Sequence, residues 1–519
     1  MLVALQSSCR RQALGLLGIG VLALGGALLA SPSHAPEPIH LVVLHTNDVH
    51  GQVLPRPATW LDDPDPPRAG GLVRLAAAIH RERREATEAG AQVLLLDGGD
   101  WTQGTPEGRL EQGRQAVAVM LHLGYDAMAV GNHEFDHGVD VFLGHLKALQ
   151  PPALLANALL PDGANLPGVR PHKLVQKAGI PILLVGLLTK HTPEMTHAST
   201  RDLTWQSPAS ALARVRAEVE SPGALVIPMT HLGVEGDRAL ARAHPDLALI
   251  VGGHSHTRLE SGVIEGKTLI VQTGAKATTL GRVDLWVDPK SHEVVRSQSR
   301  LIKLLVEPEG PDRNLVLEAA CKKLVLASER RMGVVVGSLS APLMRGLDPY
   351  SSSASGNLVT DVMREHSGAT VALHNRGGLR ADLPAGEVTR RDLFRILPFE
   401  NHVVSMDLTG AQLEKLLRRS VEGQGHSGLE VSGVTLYLLP GEGRPKLAKV
   451  AVGGEELVAA EIYRVVTNSF LAAGGDDYGT FTEGTGRQVN PIMLRDLLET
   501  AFGSEPLTPP KASRFVLSE

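Results

Sequence analysis

Cysteine is nearly absent from this chain of 519 residues, which contains only Cys9 and Cys321. Cys9 lies in a predicted export leader, so the mature chain would keep one thiol and would form no intramolecular disulfide. Cys321 follows a segment with helical character, 315–320, where a cysteine is more often a small buried apolar residue than a nucleophile. The sequence therefore excludes a fold that depends on disulfide bonds.

Aromatic residues and net charge are also low. Phe, Trp and Tyr make up 3% of the residues, and the formal net charge is −5. A negative balance argues against a general binder of nucleic-acid polymers, because such proteins neutralise phosphates with a basic face. An anionic small-molecule substrate would need local positive charge, which bound metal ions supply.

The composition is that of a soluble globular protein, with 43% apolar and 21% charged residues, and the length predicts two or three domains. Apolar residues at helical spacing over 72–79 precede a strand-like run at 93–96, a β-α-β pattern. Farther along, Thr409 and Gln412 have capping-box spacing, and the leucines at 413–417 form the buried stripe of the helix that they open.

The first 35 residues resemble an export signal. Arg10 and Arg11 precede an uncharged stretch over 12–30 and small residues over 31–35, as in a twin-arginine signal. The alternative is an uncleaved membrane anchor, since 13–30 approaches the length of a spanning helix. Glycines dilute the apolarity of this stretch, which favours cleavage and a periplasmic or secreted protein.

Prolines and glycines over 306–312 interrupt any regular element and mark a change of pattern. We therefore expect an export signal over 1–35, a first domain over 36–309, a linker helix over 310–335 and a second domain over 336–519.

Five apolar runs are each followed by candidate metal ligands. The side chains after these runs are Asp48, His50, Asp100, Asn132, His231, His254 and His256. If the strands are roughly parallel, their carboxyl ends meet at one edge of a sheet and bring these groups together. A capping or hydrogen-bonding role explains any one of them, but not all seven at strand ends. Their nitrogen and oxygen donors suffice for two divalent ions that share a carboxylate, an arrangement used in phosphoryl transfer and other hydrolytic reactions.

The order of these motifs resembles the signature of the calcineurin-like metallophosphoesterases. The motifs are Asp48-Val49-His50, Gly99-Asp100, Gly131-Asn132-His133-Glu134, His231 and Gly253-His254-Ser255-His256, and the version with Thr46-Asn47 and Phe135-Asp136 is similar to the 5′-nucleotidase branch. The resemblance implies that Asp48, His50, Asp100 and His256 hold one metal ion and that Asp100, Asn132, His231 and His254 hold the other. Asp100 would bridge the two ions, for which zinc, manganese and cobalt are the candidates.

A second set of motifs resembles the C-terminal domain with which 5′-nucleotidases hold the nucleoside. These motifs are Gly356-Asn357, 375–380 and 468–476. The resemblance then covers nearly the whole mature chain. It implies an α/β fold, in which an N-terminal four-layer α/β/β/α metallophosphoesterase sandwich is followed by an α+β substrate-binding domain. The implied substrate contacts are Asn132, Asn375, Arg380, Phe470 and Asp476.

His133 and Asp136 are the candidate catalytic residues. Asp136 lies three residues after His133, where its carboxylate would hold the ring and favour the protonated imidazole. In the resembled family such a pair stabilises the transition state and assists the leaving alcohol. A structural role is the alternative for either residue.

The substrate motifs depart from the resembled branch in one respect. A second ring that stacks on the base would fall near Val403, and a further arginine near Ser351, and neither is retained. Phe399 or His402 would be substitutes, although an aromatic residue in such a segment is more often part of the core. We therefore expect weak discrimination between bases.

The resulting functional prediction is a secreted, dinuclear, metal-dependent phosphohydrolase. It would hydrolyse nucleoside 5′-monophosphates by in-line attack of a metal-bound hydroxide. The alternatives on the same fold are a cyclic-nucleotide phosphodiesterase, a nucleotide-sugar hydrolase and a sulfur-ester hydrolase. A binding protein without chemistry is a distant alternative.

Overall fold

The computed structural model describes residues 37–58, 66–221, 223–307, 309–346, 348, 350–399, 401–423, 428–441 and 443–517. The predicted export signal lies outside these residues. Within the described ranges, no helix is both long enough and apolar enough to cross a membrane.

Two six-stranded sheets form the first half of the chain. In spatial order, the strands of the first sheet are Val294–Lys303, Thr279–Val287, Ile39–Thr46, Gln92–Asp97, Ala127–Ala129 and Ala153–Leu154. The strands of the second sheet are Val263–Glu265, Thr268–Val271, Leu249–Val251, Leu225–His231, Ile180–Leu188 and His172–Lys177. Four adjacent strands of each sheet run parallel, including those that precede the candidate ligands, so their carboxyl ends meet at one edge.

The two sheets pack face to face over a shared apolar core. Leu41 and Leu94 from the first sheet lie in one cluster with Ile182 and Ile227 from the second. These strands are buried on both faces, which explains their continuous apolar runs. Helices cover the outer faces: Leu72–Glu88, Arg114–Met120 and Val139–Leu149 on the first sheet, Pro208–Glu218 and Val234–Ala243 on the second. The helix Leu315–Met332 packs on Leu72–Glu88 and Arg114–Met120. The predicted four-layer sandwich is confirmed.

The second half of the chain is a mixed α+β structure, also as predicted. Its five-stranded sheet contains Leu429–Ser432, Val371–Asn375, Ile462–Asn468, His402–Thr409 and Thr485–Met493 in spatial order. Its four-stranded sheet contains Glu455–Glu456, Lys446–Val452, Val434–Leu439 and Phe515–Leu517, and Val335–Leu339 pairs with Gly386–Thr389. The helices are Ala354–Ser367, Arg390–Ile396, Gly410–Glu422, Ser469–Ala472 and Leu494–Glu499.

Short elements complete the described chain. Two small strand pairs join Arg56–Pro57 to Arg68–Ala69 and Ala158–Leu159 to Thr204–Trp205, and Thr192–Met195 is a one-turn helix. The 3₁₀ helices are Glu107–Gly113, Leu121–Leu123, His133–Phe135, Ala198–Asp202, Gly310–Asp312, Arg376–Gly378, Gly475–Asp477 and Gly479–Glu483.

The helix between the two halves starts later than the sequence suggested. It begins at Leu315 because the Asn314 side chain accepts a hydrogen bond from the Leu317 amide, and a separate 3₁₀ turn, Gly310–Asp312, precedes it. Cys321 is buried in this helix, and burial raises the pKa of its thiol to about 12. The chain packs as one unit over Pro38–Glu519, so the predicted division near residue 309 stays a prediction.

Candidate metal and substrate site

Left-handed backbone is concentrated in the loops that carry the candidate ligands. Asp48, His50, Asp100, His254 and His256 have φ values of 51°, 50°, 59°, 81° and 53°. For residues with a Cβ this conformation costs roughly 1–2 kcal/mol each, and such strain persists only where the surrounding structure enforces it. Two backbone bonds tie the loops together here: the Asp48 amide donates to the Gly99 carbonyl, and the His50 amide to the Asp100 carbonyl, both at 2.9 Å.

Four of the seven predicted ligands form a tight group. The donor atoms of Asp48, His50, Asp100 and His256 all lie within 4.8 Å of one another. His256 Nε2 lies 3.1 Å from Asp48 Oδ1 and 2.9 Å from His50 Nε2. Burial lowers the pKa of His50 to about 4, so its imidazole is neutral at pH 7, as a ligand must be.

Asp100 also belongs to a second group. Its Oδ2 lies 3.0 Å from His231 Nε2 and 3.8 Å from His50 Nε2, while its Oδ1 accepts a hydrogen bond from the His133 amide at 3.1 Å. A Cβ on Gly131 would lie 2.2 Å from Asp100 Oδ1, so only glycine permits this approach. One carboxylate thus faces histidines from both groups.

His231 and His254 lie on the other side of Asp100, with ring centroids 5.0 Å apart. His231 Nδ1 donates to the Gly98 carbonyl at 2.7 Å, which directs Nε2 toward Asp100. Burial lowers the pKa of His231, but Asp100 and Asp48 outweigh it and raise the pKa to about 10. His231 Nε2 would then carry a proton. A metal ion bound between His231 and Asp100 would take the place of that proton.

The residues fit divalent metal ions. The donors are carboxylates, imidazoles and one amide, a set that suits zinc, manganese or cobalt. Asn132 Oδ1 is buried and has no hydrogen-bond partner within the described ranges. His231 Nε2 lies 3.0 Å from Asp100 Oδ2 but has no partner of hydrogen-bond geometry among the same residues. Buried polar atoms left in this state are what a metal ion would satisfy.

Two residues that support the ligands escaped the sequence analysis. Glu134 accepts hydrogen bonds from the amides of Asp100 at 3.1 Å, Trp101 at 2.8 Å and Gly131 at 2.8 Å, and so holds two ligand loops together. Asn47 donates to Asp48 Oδ2 at 2.6 Å and to the Gly274 carbonyl at 2.8 Å. Both stand inside the quoted motifs, but nothing in the linear sequence shows which backbone groups they reach.

His133 and Asp136 form a hydrogen-bonded pair beside the first group. His133 Nδ1 lies 2.7 Å from Asp136 Oδ2, and Asp136 Oδ1 accepts from the Thr196 hydroxyl at 3.1 Å. The ring centroids of His133 and His50 are 5.3 Å apart. Burial raises the pKa of Asp136, but the charge and hydrogen bond of His133 outweigh it and keep this pKa below its usual value. The pair therefore favours an imidazolium at His133.

Two of the substrate contacts predicted from the C-terminal motifs are hydrogen-bonded to each other. Asn375 Nδ2 donates to Asp476 Oδ2 at 3.0 Å, and Asn375 Oδ1 accepts from Asn468 Nδ2 at 3.0 Å. Phe470 is 43% exposed, and its ring covers Gly475, where a Cβ would lie 2.5 Å from the ring. Arg380 Nη1 donates to the Gly377 carbonyl at 3.3 Å.

Of the two residues offered as substitutes for the second ring, Phe399 is exposed and His402 is buried. Phe399 is 50% exposed, and the Arg380 guanidinium lies 6.0 Å from its ring centroid. Val403 and His402, by contrast, are buried at 1% and 3% exposure. Phe399 lies in the bend between the helix Arg390–Ile396 and the strand His402–Thr409, so neither element directs its side chain inward.

Fold and site together define a calcineurin-like phosphoesterase. Residues 41–258 match the family model described as calcineurin-like phosphoesterase, and residues 335–483 match the model described as the 5′-nucleotidase C-terminal domain. The chain belongs to the 5′-nucleotidase family, which combines these two domains, and it is a metal-dependent hydrolase of phosphoric monoesters.

Full-length relatives share both parts. The chain is 26% identical to a 5′-nucleotidase of Vibrio cholerae, with 90% of this chain and 91% of the relative covered. It is 29% identical to a 5′-nucleotidase of Bos taurus, with 88% and 86% covered. The solved structure of a 5′-nucleotidase precursor from Thermus thermophilus has 27% identity and a TM-score of 0.62, and the match covers 89% of this chain and 96% of that one.

Proposed function

We propose that the protein hydrolyses nucleoside 5′-monophosphates to nucleoside and inorganic phosphate, with two divalent ions as cofactor. The proposed ligands are Asp48, His50, Asp100 and His256 for one ion, and Asp100, Asn132, His231 and His254 for the other. The observation that carries this proposal is the position of Asp100 Oδ2, 3.0 Å from His231 Nε2 and 3.8 Å from His50 Nε2. A carboxylate that faces two groups of donors is suited to bridge two ions.

Two bound divalent ions would supply Lewis acidity toward the phosphoryl oxygens and would lower the pKa of water at the site. The chain's contribution is to fix their ligands before substrate arrives. The strained loops at Asp48, His50 and Asp100 are held by backbone bonds and by Glu134, so little reorganisation remains during the reaction.

His133 is the proposed general acid. When water attacks phosphorus, the P–O bond to the nucleoside breaks, and the departing oxygen needs a proton. His133 Nδ1 bonds Asp136 at 2.7 Å, and we propose that the proton comes from Nε2, the other ring nitrogen. Asp136 favours the protonated ring and fixes its orientation, and the Thr196 hydroxyl holds Asp136 in turn.

The proposed substrate contacts suit different parts of the nucleotide. Asn132 would face the phosphate, and the Phe470 ring would stack on the base. Arg380 supplies a guanidinium, and the bonded pair Asn375 and Asp476 supplies polar groups that suit ribose hydroxyls. The full-length relatives named 5′-nucleotidase support the nucleotide assignment. The predicted leader over 1–35 supports action in the periplasm or outside the cell.

An assay of substrates tests the proposal. Purified chain, stripped of metal and reloaded with zinc, manganese or cobalt in turn, is offered AMP, a cyclic nucleotide, a nucleotide sugar and a thiosulfate ester. Phosphate release from AMP, dependent on added metal, is the expected result. Metal-dependent turnover of one of the other three compounds, without turnover of AMP, would replace the proposal with that activity.

A further inference from the structure

A buried set of hydrogen bonds lies behind two ligand loops of the second sheet, on the side that the helix Val234–Ala243 covers. Its centre is Asp237, a fully buried residue of that helix. Asp237 Oδ1 accepts a hydrogen bond from the Thr230 hydroxyl at 2.5 Å, and Asp237 Oδ2 accepts one from Gln272 Nε2 at 3.1 Å. These three side chains form the Asp237 network, and the motifs from which the metal site was predicted contain none of them.

Thr230 connects the Asp237 network to His231, the residue that follows it in the same strand. Successive side chains of a strand point to opposite faces of the sheet. Thr230 therefore faces the helix and its Asp237, while His231 faces the candidate metal site, where its Nε2 lies 3.0 Å from Asp100 Oδ2. The bond between Thr230 and Asp237 thus fixes the end of the strand that carries His231.

Gln272 connects the Asp237 network to His254. Besides its bond to Asp237, Gln272 Nε2 donates to the Gly253 carbonyl at 3.1 Å, and Gln272 Oε1 accepts from the Ser255 hydroxyl at 3.0 Å. Both chain neighbours of His254 are therefore bonded to one fully buried side chain. Because Asp237 holds that side chain in turn, it links the backbone of two proposed ligands that lie in different loops.

The backbone packs tightly on Asp237. A Cβ on Gly252 would lie 2.2 Å from Asp237 Oδ2, so only glycine lets the chain before His254 pass this close to the carboxyl group. The Gly233 amide, at the start of the same helix, donates to the Gly253 carbonyl at 3.0 Å. The loop that carries His254 is thus held against the helix by side-chain and backbone bonds together.

We propose that Asp237 is a positioning residue that holds His231 and His254 in place for the metal ion that they share. This inference rests on the proposed function, because it concerns one of the two proposed ions. Groups that orient metal ligands typically contribute a factor of about 10–100 to metal affinity. Loss of the Asp237 network should therefore weaken this ion by such a factor.

The effect should be confined to one of the two ions. His256 lies on the same loop as His254 and is proposed for the other ion. Its Nε2, however, lies 3.1 Å from Asp48 Oδ1 and 2.9 Å from His50 Nε2, both of which follow a strand of the first sheet. The ligands of the other ion are therefore held mainly from the first sheet, which the Asp237 network does not reach.

The chain offers two matched pairs of variants. Thr230→Val removes the hydroxyl that bonds Asp237 and keeps the shape of the side chain. Thr268→Val is its control, because Thr268 is also fully buried in the second sheet and its hydroxyl donates to the Leu247 carbonyl at 2.8 Å, outside the ligand loops. Asp237→Leu removes both bonds at the centre of the network, whereas Asp237→Asn keeps a donor and an acceptor that suit Thr230 and Gln272.

The experiment is calorimetric titration of the metal-free full chain with zinc, in the absence of substrate. The wild type should bind two ions, and His254→Ala, which removes a ligand of one ion only, identifies the binding event of that ion. Thr230→Val and Asp237→Leu should weaken this event by about 10–100-fold and leave the other event unchanged. Thr268→Val should leave both events unchanged, and Asp237→Asn should restore most of the affinity that Asp237→Leu loses.

Three results would overturn the inference. Wild-type affinity for both ions in Thr230→Val would mean that the network does not position the ligands, and this variant decides if Asp237→Leu fails to fold. Equal weakening of both ions, or equal weakening in Thr268→Val, would mean a general loosening of the fold. A wild-type chain that binds fewer than two ions would contradict the proposed dinuclear site itself and the inference with it, which distinguishes that failure from the other two.

Discussion

Three helices in each half of the chain begin differently. In the first half, Leu72–Glu88, Val139–Leu149 and Val234–Ala243 follow glycines with φ of 86°, 94° and 77°, so the N-cap residue itself offers no side chain. In the second half, Ala354–Ser367, Arg390–Ile396 and Gly410–Glu422 start at Ser353, Thr389 and Thr409, whose side chains accept hydrogen bonds from the first turn. Among these six helices, the first three depend on unusual backbone at the N-cap and the other three on a capping side chain.

The same contrast separates the candidate sites. The proposed metal ligands are mostly buried, and five of them hold left-handed backbone. Among the proposed substrate contacts, Phe470 and Arg380 are exposed, and only Asp476 has a positive φ. Local strain therefore accumulates where a metal site must be preorganised, while the substrate surface follows ordinary local preferences. Substitutions at the metal site should therefore abolish metal binding or turnover, whereas substitutions on the substrate surface should change KM by degrees.

The largest effect is expected for Asp100→Ala. A bridging carboxylate serves both ions, so this variant should lose both of them and fall below measurable turnover. Metal analysis of the purified variant tests this expectation. Asp284→Asn is the control, because Asp284 pairs with Arg282 and His40 in the same sheet. Two tightly bound ions in Asp100→Ala would remove Asp100 from the bridge.

His133→Ala should lower kcat by about 10²- to 10⁴-fold while it leaves the metal content nearly intact. The ring is proposed to give a proton, not to hold an ion, so chemistry and metal binding should separate. Asp136→Asn should cause a smaller loss, through misorientation of the ring. His191→Ala, an exposed histidine paired with Glu194, serves as control. An unchanged kcat in His133→Ala would assign His133 a structural role.

In the second half, Phe470→Ala should raise KM for AMP roughly ten- to hundredfold, because one stacked ring contributes about 1–3 kcal/mol. Ribose 5-phosphate, which has no base, is the control substrate, and its KM should stay unchanged. Val403 is buried and cannot supply a second ring, whereas Phe399, named above as a substitute, is 50% exposed. If Phe399 does not stack on the base, the wild-type KM values for AMP and CMP should be similar. A strong preference for one of them that is lost in Phe399→Ala would make Phe399 the second stacking partner.

Gly233→Ala tests the helices that begin at a glycine. The new Cβ would lie 3.5 Å from Ser255 Cβ, an ordinary contact, so the cost should come from the backbone at φ 77° alone. We expect a loss of roughly 1–3 kcal/mol in the free energy of unfolding. Gly144→Ala, in a regular helix with open space, should instead stabilise by about 0.5–1 kcal/mol. Equal effects in denaturant unfolding would mean that Gly233 carries no special backbone requirement.

The sequence predicts structure most accurately where one residue pattern determines one local structure. Apolar runs predicted the parallel strands, and the residues after those runs lie where such strands place them. Thr409 and Gln412 form the capping box that their spacing predicted. The equivalent box of Thr389 and Asp392 was overlooked, although its spacing carries the same signal.

What the sequence could not predict depends on distant partners. The three amides that Glu134 bonds lie up to 34 residues away along the chain. The exposure of Phe399 depends on a bend between two elements, where periodicity gives no direction. A cavity of about 1020 Å³, lined by Arg109 and Arg495 among others, arises only when both halves are packed, because its lining residues come from distant segments.

The smallest effect is expected at the helix cap of Thr409. Its hydroxyl accepts from the Gln412 amide at 3.2 Å, and Gln412 Oε1 accepts from the Thr409 amide at 2.9 Å. Thr409→Ala removes one of these bonds and should lower the free energy of unfolding by about 1 kcal/mol, while Thr409→Ser should restore most of it. Turnover of AMP should not change, because the helix Gly410–Glu422 buries leucines in the core and carries no proposed substrate contact. Thr409→Ala could instead destabilise the chain as much as Gly233→Ala. Capping in the second half would then matter as much as backbone strain at helix starts in the first half. The difference between the two halves would be confined to the strained loops of the metal site.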